Sequence, residues 1–308
     1  MLFRLLPDKL FSLIFAGGTF FIAFFALKFF MRLLPKDQGR QFAVNGSLSE
    51  GKPRGAGIIF ITAFIVSAVL FIPLKLESAV NLVLIFAAML TGYLDDAAEK
   101  PWGELKKGLL DVVISFGISL NFVIHNSTDI LVFSNTVSIP KAVYVFLGMI
   151  LVWASINVTN CSDGVDGLCA SLSIVTILMF NFIDRTKMFN VAMIMTLIAY
   201  LWYNASPSKL LMGDAGSRAI GVFIALTAMQ SGHPLMFIPL AAVLIVDGGL
   251  GLVKLTIRRV FKKKDFMDGL RTPIHDHMRK NKGWSDTQVV IRFTIIQVVI
   301  GYLAICLI

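Results

Sequence analysis

Long apolar runs broken by Pro, Gly and charge dominate the chain. About 20 apolar residues cross hydrocarbon as a helix. On that measure the runs near residues 10–34, 56–73, 78–94, 108–124, 141–157, 167–183, 187–203, 218–231, 234–257 and 286–308 are ten candidate spans. The first has the length of a span and no small-residue cleavage site behind it, so it reads as a membrane helix rather than a signal peptide. Between the fourth and fifth runs, "DILVFSNTVSIP" alternates apolar and polar residues around Ser134-Asn135, the pattern of a small β-hairpin. No internal repeat, low-complexity tract or linker divides the chain. The expected fold is all-α and polytopic, about ten transmembrane helices in a single domain over residues 1–308.

Composition supports that class and narrows it. The chain is 56% hydrophobic and 15% charged, with a mean hydropathy of +0.79, too apolar for a soluble protein of 308 residues. Cys161, Cys169 and Cys306 are scattered and suggest neither a disulfide framework nor a thiolate metal site. A formal charge of +9 suits nucleic acid, anionic lipid or a phosphorylated substrate. Without a soluble basic domain, the last two are favoured and nucleic acid is set aside.

Charge also orients the chain. The connections after the odd-numbered runs hold 18 Lys and Arg, against six in the N-terminal segment and the even-numbered connections. Positive loops stay in the cytoplasm. The odd connections are therefore expected there, with both termini and the hairpin outside. Every chemically suggestive segment falls on the cytoplasmic side: "LPKDQGR", "GYLDDAAEK", "NVTNCSDGVDGL", "LMGDAGS" and "TPIHDHMRKNKGWS". Five loops on one face can converge on one site.

Asp95 and Asp96 stand side by side at the end of an apolar run, where bare carboxylates are costly and usually functional. Asn157, Asn160, Asp163 and Asp166 recur every three residues, a spacing that puts helical neighbours on one face, although Gly164 and Gly167 mark a turn. They are read as a ligand site. Asp214 lies between Gly213 and Ala215-Gly216 at a helix start, where it is either a cap or a holder of a cation that carries phosphate. His275 and His277, with Arg279, Lys280 and Lys282, suit anionic oxygens better than zinc. "RRVFKKKDF" (258–266) reads chiefly as an anchor on anionic lipid. Oxygen-only ligands beside the expected phosphate chemistry point to Mg2+, which takes one or two carboxylates and fills its other positions with water or phosphate.

These segments together resemble the polyprenyl-phosphate N-acetylhexosamine-1-phosphate transferases, most closely the bacterial phospho-N-acetylmuramoyl-pentapeptide transferases. The matching motifs are "LPKDQG", "DD", "NxxNxxDGxDGL", "GDxGS" and "TPIHDHxxxxKGWS" leading into "QVVIRF", in that order and over nearly the whole chain. Each is weak alone; five in sequence are specific. The family's three consecutive histidines stand here as His275-Asp276-His277, and "GKPRGAG" carries Lys52 where the family has a Lys-Thr-Pro-Thr-like segment.

The resemblance implies Mg2+-dependent transfer of phospho-N-acetylmuramoyl-pentapeptide from UDP-MurNAc-pentapeptide to undecaprenyl phosphate, giving lipid I and UMP in peptidoglycan synthesis. It also implies a homodimer in the lipid bilayer of the bacterial inner membrane, with a cytoplasmic site. The expected catalytic residues are Asp95, Asp96, Asp214 and His275. Asp214 is the main metal ligand, with Asp95, Asp96 and Asp163 as further candidates. Asn157, Asn160, Asp163, Gly164, Asp166, Leu211, His275, His277 and Lys52 are the expected substrate-binding residues, Leu211 packing on uracil and the histidines contacting phosphate or nucleotide.

Three other activities compete. A related enzyme would transfer N-acetylglucosamine-1-phosphate, which the "PIHDH…KGWS" segment disfavours. An intramembrane aspartyl protease would need Gly-x-Gly-Asp, but Met212 stands two residues before Asp214. An ion-coupled transporter would place broken helices near the membrane midplane, whereas these polar residues cluster at one interface.

Overall fold

The computed structural model describes residues 8–37, 39, 49–100, 102–132, 135–183 and 187–308. Ser134 of the expected hairpin tip, Gln38 of "LPKDQG", and Arg4, Arg40 and Arg185 of the charge count lie outside the described residues.

Helices occupy the apolar runs in order: α1 (Asp8–Phe30), α2 (Gly57–Phe71), α3 (Leu76–Asp96), α4 (Glu104–His125), α5 (Lys141–Cys161), α6 (Leu168–Phe180), α7 (Lys187–Asn204) and α8 (Gly213–Gln230). A broken segment follows: a 3-10 turn at Pro234–Met236, α9 (Phe237–Leu240), α10 (Ala242–Leu244), a π-helical turn at Ile245–Gly249 and α11 (Leu250–Val260). The polar α12 (Ile274–Lys282) and the apolar α13 (Asp286–Ile305) complete the chain. Ser285 and Gln288 close a reciprocal capping box at the start of α13, satisfying two of its otherwise unpartnered donors.

Five of these helices, α1 with its 3-10 extension, α3, α4, α5 and α13, are long and apolar enough to cross a membrane, and the broken segment makes a sixth if counted as one span. α2 and α6 are shorter, at 15 and 13 residues. Strand β1 (Asp129–Val132) pairs antiparallel with β2 (Asn135–Ser138), Ile130 opposite Val137. Leu131 N–H donates to Gly232 O (2.9 Å), tying this small sheet to the turn after α8.

α8 is the central post. Every residue from Ala215 to Met229 is buried, against α2, α3 and α5. Gly57 and Gly92 let α2 and α3 reach its first turn, where a Cβ at either position would overlap the Asp214–Gly216 backbone. Such contact brings the C-terminal end of α3, with its two aspartates, against the N-terminal end of α8.

The run at 234–257, expected as one span, is instead bent by 71° between Pro234–Leu240 and Ala242–Val260. Pro239 has no N–H to give the helical ladder, and Ala241 leaves helical geometry. The Gln297 amide of α13 takes up the freed backbone groups. Its oxygen accepts from Val243 N–H (2.8 Å), and its nitrogen donates to Leu240 O (2.7 Å) and Pro239 O (3.2 Å). A buried break needs such partners because hydrocarbon offers none.

Candidate active site

A cavity of about 610 Å³ opens at the end of the bundle opposite the hairpin. Extended backbone builds one wall. Leu211 N–H donates to Pro53 O (2.8 Å), Ala56 N–H to Leu211 O (3.0 Å), and Asp37 N–H to Lys52 O (2.8 Å). This pairing fixes Lys52 and Arg54 beside the start of α8. A second wall is the turn after α5. The helix ends at Cys161, so Asp163, Gly164 and Asp166 sit on a turn and do not continue the helical face of Asn157 and Asn160. α12 and the first residue of α13 supply the third wall.

The cavity gathers Lys52, Asn160, Asp163, Gly164, Asp166, Leu211 and His275, all read from the sequence as site residues. Lys52 Nζ donates to Ser208 Oγ (2.9 Å) and lies 3.7 Å from Asp166 Oδ2, which also accepts from Ser208 N–H (3.0 Å). Two expected residues do not line it. Asn157 spends its amide on Trp153 O (2.8 Å) one turn back in α5, and His277 Nδ1 accepts from Arg271 N–H (3.3 Å).

Asp95, Asp96 and Asp214 form a cluster beside the cavity, none of them on its lining. Asp96 is fully enclosed: Oδ1 accepts from Arg54 Nε (3.0 Å) and Oδ2 from Ala215 N–H (3.2 Å). Asp95 accepts from Trp102 N–H (2.6 Å) and pairs with Lys107, whose ammonium also reaches Asp214 Oδ2 (3.2 Å). Gly213 joins the two compartments. Its φ is +71°, and a Cβ there would overlap the Asp96 carboxylate, so only glycine fits.

Arg54 is the other link, lining the cavity while bonding Asp96 and Asp37 Oδ1 (3.1 Å). Burial disfavours its charge, but the carboxylates of Asp96, Asp214 and Asp37 outweigh that and raise the guanidinium's pKa above its ordinary value. Arg54 is therefore a permanent cation at the boundary.

Arg54, Lys107 and Asp247 are missing from the sequence reading. Lys106 and Lys107 are indistinguishable in sequence, yet about 100° of helix rotation separates them. Lys106 lies over the Trp102 ring at 3.2 Å, while Lys107 meets the carboxylates. Asp247 carried a usable signal, a lone carboxylate in the apolar stretch "LIVDGG". It is fully buried and bonds His275.

The donor set suits a hard divalent cation. Asp95 and Asp214 already direct oxygens at one cation, the Lys107 ammonium. Among the described residues, no three His, Cys, Asp or Glu groups stand close enough to cage an ion alone. Mg2+ needs no such cage, because substrate phosphate and water complete its shell. Asp95, Asp96 and Asp214 offer oxygen alone, which suits Mg2+ better than a metal that selects nitrogen or sulfur.

Comparison with known proteins identifies a family and named relatives. Residues 78–232 match the model of glycosyl transferase family 4. The chain is 37% identical over 305 residues to the phospho-N-acetylmuramoyl-pentapeptide-transferase of Treponema pallidum, covering 90% of this chain and 84% of that protein. It is 28% identical over 292 residues to the enzyme of the same name from Dictyoglomus thermophilum (92% and 93% covered). For the Helicobacter pylori enzyme the figures are 26% over 334 residues, with 94% and 92% covered.

Proposed function

Because the chain belongs to the phospho-N-acetylmuramoyl-pentapeptide-transferase family, membrane transferases of peptidoglycan synthesis, we propose that it moves phospho-N-acetylmuramoyl-pentapeptide from UDP-MurNAc-pentapeptide to undecaprenyl phosphate, releasing UMP and leaving lipid I. One observation carries this reading: a cavity of about 610 Å³ with both cationic and anionic walls adjoins a separate carboxylate cluster at one end of an apolar bundle. A soluble anionic nucleotide and a lipid phosphate anchored in the bilayer can meet only at such an end.

The whole chain acts as one domain of ten membrane helices in the bacterial inner membrane. Both termini and the hairpin lie outside, the cavity faces the cytoplasm, and the enzyme is a homodimer. The exposed Lys262, Lys263 and Lys264 face anionic headgroups. Asn160, Asp163, Gly164 and Asp166 shape the nucleoside end, with Leu211 against uracil. Lys52 and His275 meet phosphate oxygens; His277 and Asn157 contribute from outside the lining.

Asp214 would be the principal Mg2+ ligand, with Asp95, Asp96 and Asp163 nearby. When bound, the ion would neutralise the diphosphate and the charge developing on transfer. Asp95 positions or deprotonates the lipid phosphate, which attacks directly. A phosphate monoester with a second pKa near 6 needs little base assistance at neutral pH. The enclosure of Asp96 by Arg54 and Ala215, and of Asp95 by Trp102 and Lys107, favours a positioning role over a free nucleophile.

The test is transfer of radiolabel from UDP-MurNAc-pentapeptide to undecaprenyl phosphate by purified protein, with and without Mg2+. Labelled lipid I and UMP are expected only with the ion. Transfer from UDP-N-acetylglucosamine instead would reassign the substrate. A labelled aspartyl ester trapped with nucleotide sugar alone would overturn direct attack.

A further inference from the structure

The π-helical turn Ile245–Gly249 carries a fully buried carboxylate that the transfer reaction, as laid out above, does not use. Asp247 turns both oxygens on a single residue of another element. Oδ1 accepts from the His275 backbone N–H (2.7 Å), and Oδ1 and Oδ2 lie 3.1 and 2.9 Å from the ring Nδ1. The backbone bond satisfies one of the orphan donors in the first turn of α12. An amide or hydroxyl could do that much without burying a charge, which is costly inside an apolar bundle. What the carboxylate adds is a second, charged acceptor oxygen on the ring nitrogen.

A carboxylate only accepts, so the proton on Nδ1 faces Asp247 and Nε2 is left for the other side. That side is the cavity. His275 and Gly164 both line it, and a Cβ on Gly164 would collide with Nε2. The ring is thus held from behind by Asp247 and has room in front only because residue 164 lacks a side chain. Asp276 Oδ1 is 3.8 Å from Nε2, beyond hydrogen-bonding distance.

We propose that Asp247 is a positioning residue that fixes the tautomer and direction of His275, so that Nε2 is presented to the substrate bound in the cavity. This rests on the assignment of His275 to substrate contact made above. It also gives the bend of the broken segment a use, since the π-helical turn beyond the bend is where Asp247 stands.

The experiment compares kcat and KM for the nucleotide substrate in wild type, Asp247→Asn, His275→Gln and the double variant, purified in one detergent. Asp247→Asn is expected to lower kcat about 10- to 100-fold, the usual effect of removing an orienting partner, with KM little changed. In the His275→Gln background the same change should cost almost nothing more, because the ring it orients is gone. Gly164→Ala, which presses on Nε2 from the cavity side, should lose activity in the wild-type background and likewise lose little more beside His275→Gln. Ring-nitrogen NMR of [15N]histidine-labelled protein should show His275 protonated at Nδ1, a signal that shifts in Asp247→Asn. Full additivity of Asp247→Asn with His275→Gln, or a wild-type His275 ring protonated at Nε2 rather than Nδ1, would overturn the positioning role. Wild-type kinetics in His275→Gln would instead remove His275 from the site, taking the inference with it and leaving an impaired Asp214→Asn enzyme as the distinguishing sign that the site itself stands.

Discussion

Two rungs join α4 to α8 one helical turn apart, and they are chemically the same. Lys107 meets Asp214 at 3.2 Å, and four residues further along each helix Asp111 meets Arg218 at 2.5 Å, with the polarity reversed. Their surroundings differ. The Asp111 and Arg218 side chains are each 4% exposed and take their strongest partner from each other. Lys107 and Asp214 are 28% and 14% exposed, beside the cavity wall, and Lys107 is shared with Asp95. A closed pair of opposite charges holds helices in register; an open, shared one can exchange its cation. Burial of charge is not in itself a sign of function. An ion pair that is shared and partly open is the better sign.

The largest expected effect falls on the open rung. Asp214→Asn should reduce Mg2+-dependent transfer by about 1,000-fold, the scale of losing a main electrostatic contact to the transition state, with the unfolding midpoint in detergent unchanged. Breaking the closed rung should do the reverse. Arg218→Met strands the Asp111 carboxylate and should cost about 3–5 kcal/mol of stability, read as a lower unfolding midpoint, while the folded fraction keeps most of its turnover. The double change Asp111→Leu/Arg218→Met should recover most of that loss, since apolar replacement of a buried pair is often neutral. Recovery of stability with loss of turnover would erase the distinction between the rungs.

Gly213→Ala sharpens the comparison at the joint between cavity and carboxylates. Strain at a positive φ, with overlap on Asp96, should cost about 1–3 kcal/mol, seen in both midpoint and turnover. The smallest effect is expected at the rim. Lys52→Met removes a partly exposed ammonium and should raise KM for the nucleotide about tenfold, the size of one charge-assisted hydrogen bond, with kcat nearly unchanged.

Much of this was legible in the sequence because apolar length and loop chemistry are local signals. The order of the helices and the gathering of Asn160, Asp163, Asp166, Asp214 and His275 at one end follow from them. What stayed hidden depends on rotation and on partners distant in sequence. Helical phase separates Lys107 from Lys106, and the end of α5 at Cys161 decides that Asp163 leaves the face carrying Asn157. The bend at Ala241 depends on Gln297, 56 residues away, to satisfy the opened backbone. Asp247 was the avoidable omission, since a lone carboxylate within an apolar stretch signals a partner even when that partner cannot be named.

The most direct measurement is Mn2+ binding, followed by electron paramagnetic resonance with the nucleotide substrate present and no lipid acceptor. A single divalent-ion site is expected in wild type, lost in Asp214→Asn and retained in Asp111→Leu/Arg218→Met. Equal Mn2+ binding by wild type and Asp214→Asn would contradict the assignment of the open rung as the place where the ion enters.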